Sequence, residues 1–235
     1  LLRFHDSLKN REPFYIHSYF NKSQGPSKTI GSVIKFKTSS FKISTYDPKV
    51  GHSLVFSQEL TPSFKLMIFG AEHDAAELCK LANFNGWDVT IIAGPLEMKS
   101  IKHFPGATAF YSVSPDYLEL NSIDEHTAIV IMSHSFSNDL KYLIDLKYCK
   151  PVYLGLLGPS IRREKLLSQF IDYCPEVCPS FVDGLYGPVG LNIGAETPQE
   201  IAISIVAEIL SVTRNQQPMP LKEKKTGIHA KNILN

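Results

Sequence analysis

Hydrophobic and polar positions divide the chain into two regimes. Between residues 14 and 45 the apolar residues fall in short aromatic and β-branched runs, Phe14 to Phe20, Ser32 to Lys37 and Phe41 to Thr45. The turn chemistry of Ser23 to Lys28 and of Thr38-Ser-Ser separates them. Runs of this kind predict short strands in a small, mainly antiparallel N-terminal domain. Before them, Leu2, Phe4 and Leu8 have a loosely helical spacing that Pro13 ends. After them, Tyr46 to Phe64, with Pro48, Gly51 and Pro62, reads as a connection.

The period changes at Lys65. From Lys65, the unbroken apolar run Leu66 to Phe69 reads as a strand that ends in Gly70, and a helical pattern follows at once, with Ala75, Leu78, Cys79 and Ala82 on one face and Gly86 as its stop. Asp88 to Ile92, Ala107 to Tyr111, Thr127 to Met132 and Pro151 to Leu154 read as four further strands. Helical patterns follow Ser135 and Ser160. Strands alternating with helices predict an α/β fold, a Rossmann-like doubly wound parallel sheet. The last long helix is marked by Thr197-Pro-Gln-Glu200, an N-cap, a first-position proline and a capping-box glutamate. Its apolar positions leave Glu200, Ser204 and Glu208 as a narrow polar stripe, so it is expected to be buried on most sides. The expected organisation is 1–64 for the N-terminal domain and connection, 65–214 for the Rossmann-like domain, and 215–235 for a polar extension.

Composition narrows the classes. Lys and Arg total 24 against 23 Asp and Glu, a formal net charge of +1, so no global basic field points to nucleic acid. No apolar run approaches a membrane span and no signal sequence opens the chain, which reads as cytoplasmic. Cys79, Cys149, Cys174 and Cys178 lack paired zinc spacing and read as reduced thiols, with no metal site expected.

In an open α/β sheet, ligands bind beyond the carboxyl ends of the strands where strand order reverses. The candidate residues are therefore Gly70, Ala71, Glu72 and His73 after the first strand, Ser133 and His134 after the fourth, and Gly155, Gly158, Arg162 and Arg163 after the fifth. Gly70 and Ala75 fill two places of the dinucleotide fingerprint, but Glu72 stands where its middle glycine admits a pyrophosphate. Ala93-Gly94-Pro95 stands where a ribose-binding acid belongs. His134 is either a ligand donor and proton carrier or a partner of a neighbouring loop. Asp139 needs only the helix dipole to explain it. Arg162 and Arg163 oppose that dipole in the first turn of their helix, which an anion at Gly158 to Ser160, or a salt bridge, would offset. Three glycines between Gly187 and Gly194 imply close approach by a ligand or a partner surface.

With Ile68-Phe-Gly-Ala-Glu-His-Asp-Ala75, Phe104-Pro-Gly-Ala107, Met132-Ser-His-Ser135, Gly155-Leu-Leu-Gly-Pro159 and Pro188-Val-Gly-Leu-Asn-Ile-Gly-Ala-Glu-Thr-Pro-Gln-Glu-Ile-Ala202, residues 65 to about 212 resemble the XdhC/CoxI family of xanthine dehydrogenase accessory proteins. The resemblance implies a Rossmann-like domain behind a smaller N-terminal one. It also implies an accessory role without turnover, in which the molybdenum cofactor, a molybdopterin carrying a phosphate, is bound and delivered to a xanthine dehydrogenase-type molybdoenzyme. Glu72, Ala93-Gly94-Pro95 and the lack of a Gly-Gly-Cys stretch depart from the family's usual pattern. Two other classes compete: an NAD(P)-dependent oxidoreductase, disfavoured by Glu72 and the missing acid, and a dimerising regulatory domain that has lost its ligand. A homodimer is expected from the glycine-rich segment and the capped helix.

Overall fold

The structure is a computed structural model that describes residues 11–20, 30–43, 54–114, 117, 120 and 123–225. The expected helical spacing of residues 2–10, the Ser23 to Lys28 turn, the residues from Tyr46 to Ser53 and the end of the C-terminal extension lie outside them. The chain divides into two compact units, Leu1–Ser63 and Phe64–Asn235.

The first unit holds a four-stranded antiparallel sheet of β1 (Phe14–Phe20), β2 (Gly31–Lys35), β3 (Ser40–Lys42) and β4 (Leu54–Leu60), in the order β3-β2-β1-β4. Strand β4 corrects the reading of Tyr46 to Phe64 as a connection throughout. It pairs with β1 from Phe14 opposite Leu60 to Phe20 opposite Leu54. Its apolar residues do not alternate, so local pattern hides it; cross-strand partners hold it instead, Tyr15 donating to Glu59 at 2.9 Å and His17 bonding Ser57 at 2.7 Å.

The second unit is built on six parallel strands, β5 (Lys65–Phe69), β6 (Asp88–Ala93), β7 (Ala107–Ser112), β8 (Thr127–Ile131), β9 (Tyr153–Leu156) and β10 (Leu185–Tyr186). Their order, β10-β9-β8-β5-β6-β7, is the doubly wound Rossmann arrangement, and it reverses between β5 and β8. The helices are α1 (His73–Phe84), α2 (Phe136–Leu146), α3 (Ser160–Tyr173), α4 (Pro179–Asp183) and α5 (Pro198–Thr213). Strand periodicity sorts the core into two layers. Leu66, Ile68, Val89, Ile91, Ala128 and Val130 pack against α1 and α5, while Met67, Phe69, Ile92, Ile129 and Ile131 pack against α2 and α3.

Several expectations shift. The fifth strand runs from Tyr153 to Leu156 rather than from Pro151, because Pro151 has no N–H to give the ladder and Tyr153 is the first residue in register, opposite Ala128. Between β6 and β7 the crossover holds only a short 3-10 turn, Ile101–His103, since Gly94, Pro95, Pro105 and Gly106 break any longer helix. The short α4 and two-residue β10 went unread, each being too brief for a periodic signal.

The capping box on α5 forms as read: Glu200 N–H donates to Thr197 Oγ1 at 3.3 Å, and the Glu200 carboxylate accepts from the Thr197 amide at 2.9 Å. The polar stripe behind it needs correction. Ser204 is buried and donates to the Leu191 carbonyl at 2.6 Å, while Glu208 accepts from the Gly190 amide at 2.9 Å and from the Tyr153 hydroxyl. These polar groups face inward because they satisfy a loop, and Ile203 takes the solvent side at 50% exposure. The glycine segment is thus approached by this chain's own helix: a Cβ on Gly190, whose φ is +108°, would stand 2.3 Å from Ser204 Oγ. No helix among the described residues is long and apolar enough to cross a membrane.

Candidate functional site

Three strand ends meet at the switch point. Strand β5 passes into Gly70, β8 into Met132, Ser133 and His134, and β9 into Leu157 and Gly158. The ends are tied together by backbone bonds: Met132 N–H to the Phe69 carbonyl at 2.8 Å and Leu157 N–H to the Ile131 carbonyl at 2.9 Å. Gly70 is required by that packing, since a Cβ there would lie 2.3 Å from the Met132 carbonyl oxygen. Ala71 and Ala75 are buried beside it.

A cavity of about 420 Å³ opens here, lined by Met132, His134, Leu157, Gly158, Pro159 and Arg162. Gly158 holds φ +124°, and the methylenes of Arg162 fill the space a Cβ would need. Both follow from a chain that must turn sharply out of β9 and start α3 from Pro159, which is the α3 N-cap and has no side-chain cap of its own. The free N–H groups at the start of a fourteen-residue helix therefore border the cavity.

The polar side chains of the crevice form two linked sets. Arg162 donates to Asp139 at 2.6 Å; the other oxygen of that nearly buried carboxylate accepts from the Ser133 hydroxyl at 2.5 Å and its amide at 3.2 Å. His134 bonds Asp74, in the first turn of α1, at 2.7 Å. Its backbone lies at φ +56°, a left-handed conformation that few residues with a Cβ adopt. Nearby, Glu72 is the N-cap of α1 without a side-chain cap bond, and its carboxylate meets Lys99 at 3.4 Å.

Each residue read from the sequence can now be placed. His134, Gly158 and Arg162 share the cavity; Ser133 sits behind it, spent on Asp139; Gly70 and Ala71 form the adjoining strand end; His73 begins α1 and is exposed. Gly155 lies inside β9 and outside the turn: its missing side chain makes room for Val189 and Tyr153, whose atoms a Cβ would meet at 2.7 and 2.8 Å. Arg163 runs the other way, donating to the Leu185 carbonyl at 3.3 Å and packing on Gly187, with its Nε buried and without a hydrogen-bond partner. For Arg162 the salt bridge to another element is present. Sequence reasoning missed Asp74 as the partner of His134 and gave Asp139 only its dipole role. The acidic first turns of α1 and α2 were visible, but the partners are 60 and 23 residues away in sequence. At the end of β6, Ala93-Gly94-Pro95 carries no acid, and the following Glu97 meets Lys99 at 3.7 Å. The four cysteines are free, and no cluster of metal-binding side chains occurs among the described residues.

Comparison with known proteins agrees with this architecture. The family described as the XdhC Rossmann domain matches residues 66–209. A protein of Bacillus subtilis (strain 168), named as a probable subunit of xanthine dehydrogenase, is 33% identical over 162 residues, 68% of this chain and 46% of that protein. PaoD of Escherichia coli (strain K12), named a molybdenum cofactor insertion chaperone, is 26% identical over 166 residues, 69% of this chain and 44% of that protein. The matched stretch thus spans less than half the length of these relatives. A crystal structure described as a xanthine dehydrogenase from Bacillus halodurans is similar with a TM-score of 0.73 at 26% identity, over 92% of this chain and 64% of that one. Together with a six-stranded sheet in Rossmann order, the family match over 66–209 shows that this chain belongs to the XdhC family.

Proposed function

We propose that the protein is an accessory protein that holds the molybdenum cofactor in the switch-point crevice and passes it to a xanthine dehydrogenase-type molybdoenzyme, without a reaction of its own. The observation that carries this reading is the cavity of about 420 Å³ at the strand-order reversal, bounded by the α3 N-terminus, Gly158 and Arg162. Its volume suits a small organic cofactor, and helix N–H groups with a guanidinium suit a phosphate. Gly158, Arg162 and His134 would face the phosphate end, with Met132, Leu157 and Pro159 against the ring system. The names carried by the relatives, one for xanthine dehydrogenase and one for a molybdenum cofactor insertion chaperone, support the same cargo and the same client class.

A nicotinamide dinucleotide suits the site poorly. The Glu72 carboxylate stands at the N-cap of α1, where the pyrophosphate of a dinucleotide would sit, and no acid stands at the end of β6, at Ala93-Gly94-Pro95, for the ribose. The experiment is titration of the purified full chain with phosphate-bearing molybdopterin and, separately, with NAD(H) and NADP(H), followed by calorimetry. Pterin binding that falls at least tenfold on Arg162→Ala is the expected result. Tight dinucleotide binding, or no pterin binding, overturns the reading.

We also propose a homodimer through the glycine segment and α5, on the observation that Ile193 and Ile203 remain 53% and 50% exposed there. Sedimentation at micromolar concentration tests it, and a monomer rejects it.

A further inference from the structure

We infer that the crevice takes up its anion together with a proton, and that His134 is the residue that carries this proton. The inference rests on the reading that the crevice receives an anionic group, and it concerns the charge that group must meet.

The cations of the site are already committed. Arg162 is paired with Asp139 at 2.6 Å, and that carboxylate is only 4% exposed, so the guanidinium brings donors but no net charge to a ligand. Lys99, after β6, is matched by Glu72 on α1 at 3.4 Å and by Glu97 at 3.7 Å, so it adds no net positive charge. Asp74, also on α1, is 13% exposed and, among the described residues, has no cation paired with it other than His134 at 2.7 Å. Counting the cavity-lining Arg162 with Asp139, and Asp74 with a neutral His134 imidazole, leaves one negative charge at the cavity wall, from one cation and two carboxylates. A phosphate would be repelled by that balance, helix dipole notwithstanding. One proton on His134 brings it to zero.

The geometry names the ring nitrogen. A carboxylate only accepts, so the Nε2 facing Asp74 carries hydrogen and the remaining ring nitrogen is Nδ1. In the neutral ring Nδ1 is a lone pair, which opposes an anionic oxygen; in the imidazolium it is an N–H, which donates to one. Histidine is the side chain whose ordinary titration falls within physiological pH. The left-handed backbone of His134, φ +56°, is a conformation that few residues with a Cβ adopt. The ring, 54% exposed, stands among the cavity-lining residues with Gly158 and Arg162. Asp74 thus fixes, through its bond to Nε2, which ring nitrogen remains for a ligand.

The test uses sulfate, whose charge is constant across the range, and the full chain. Calorimetric titration between pH 5.5 and 8.5 is expected to show affinity falling by up to about tenfold per pH unit on the alkaline side of the His134 ionisation. Near that ionisation, buffers of different protonation heat should report uptake of up to one proton per sulfate. His134→Gln, which retains a neutral donor, should bind with no pH dependence and no proton uptake. Should that variant fold poorly by circular dichroism, ring-proton resonances of the parent decide: sulfate must raise the titration midpoint of His134. An affinity independent of pH, proton uptake that persists in His134→Gln, or a His134 midpoint unmoved by sulfate overturns the inference. Absence of sulfate binding at every pH overturns it as well. Failure here is separable from failure of the functional reading, because pterin binding that is strong and insensitive to pH leaves the cofactor crevice standing and removes only the proton.

Discussion

Asp139 holds Arg162 with one carboxylate oxygen and both the hydroxyl and the amide of Ser133 with the other. One residue of α2 therefore fixes the end of β8 and the first turn of α3 at once. Removing it leaves a guanidinium unpaired and two donors of Ser133 without their acceptor. Asp139→Ala is expected to destabilise the domain by about 3 kcal/mol, read by urea denaturation. If the fold holds, sulfate affinity should rise, because Arg162 regains its charge. A variant that is as stable as the parent would show the pair to be dispensable.

Gly190 and Ser204 are as closely matched. A methyl group at residue 190 would overlap Ser204 Oγ, and φ +108° is unfavourable to any side chain. Gly190→Ala should cost about 1–3 kcal/mol. In the double variant with Ser204→Gly only part should return, since the overlap is relieved and the backbone strain is not. Thermal melts of the parent, both single variants and the double variant separate the two effects.

The thiols should react in a fixed order. Burial pushes the Cys79 thiol up to about 11, whereas the Ser180 hydroxyl and amide hold the exposed Cys178 thiol below the ordinary cysteine range. Since the thiolate is the nucleophile, iodoacetamide near neutral pH should label Cys178 first and Cys79 last. Peptide mass spectrometry over time checks it; early labelling of Cys79 would mean that α1 opens readily.

Glu200 carries a pH dependence. The amides of Thr197 and Glu196 hold its carboxyl below the usual glutamate range. A carboxyl that is more acidic in the folded chain adds stability that is complete above its unfolded ionisation and disappears as pH falls through the folded one. The melting temperature of the parent should therefore exceed that of Glu200→Ala most at pH 7, and the gap should narrow towards pH 3. A gap constant with pH would assign the loss to helix propensity or packing rather than to the charge.

Much of the second unit was legible because its signals are local. The apolar runs of β5, β6 and β8, the glycine after β5, and Thr197-Pro-Gln-Glu200 at the start of α5 each announce an element within ten residues. Buried parallel strands admit few polar residues, and a helix end needs its cap nearby. Strand β4 escaped because its evidence is the partner strand β1, forty residues earlier. The inward turn of Ser204 and Glu208 escaped for a similar reason: a polar stripe on a helix predicts solvent unless the loop whose amide and carbonyl it satisfies is known.

The candidate site divides along the same line. The chain by itself determined which residues follow the strands, and so placed Gly70, His134, Gly158 and Arg162 beside a crevice, because a βα turn exposes what comes directly after a strand. It could not tell the two arginines apart, nor show that Gly155 belongs to the strand and to the packing of Val189. Only the tertiary structure decided that Arg162 meets Asp139 and that His134 meets Asp74, since hydrogen bonds act over about 3 Å while the residues they join are many turns of chain apart. What brings them together is the strand order, and the order is settled by the packing of two helical layers on one sheet, a property of the whole domain.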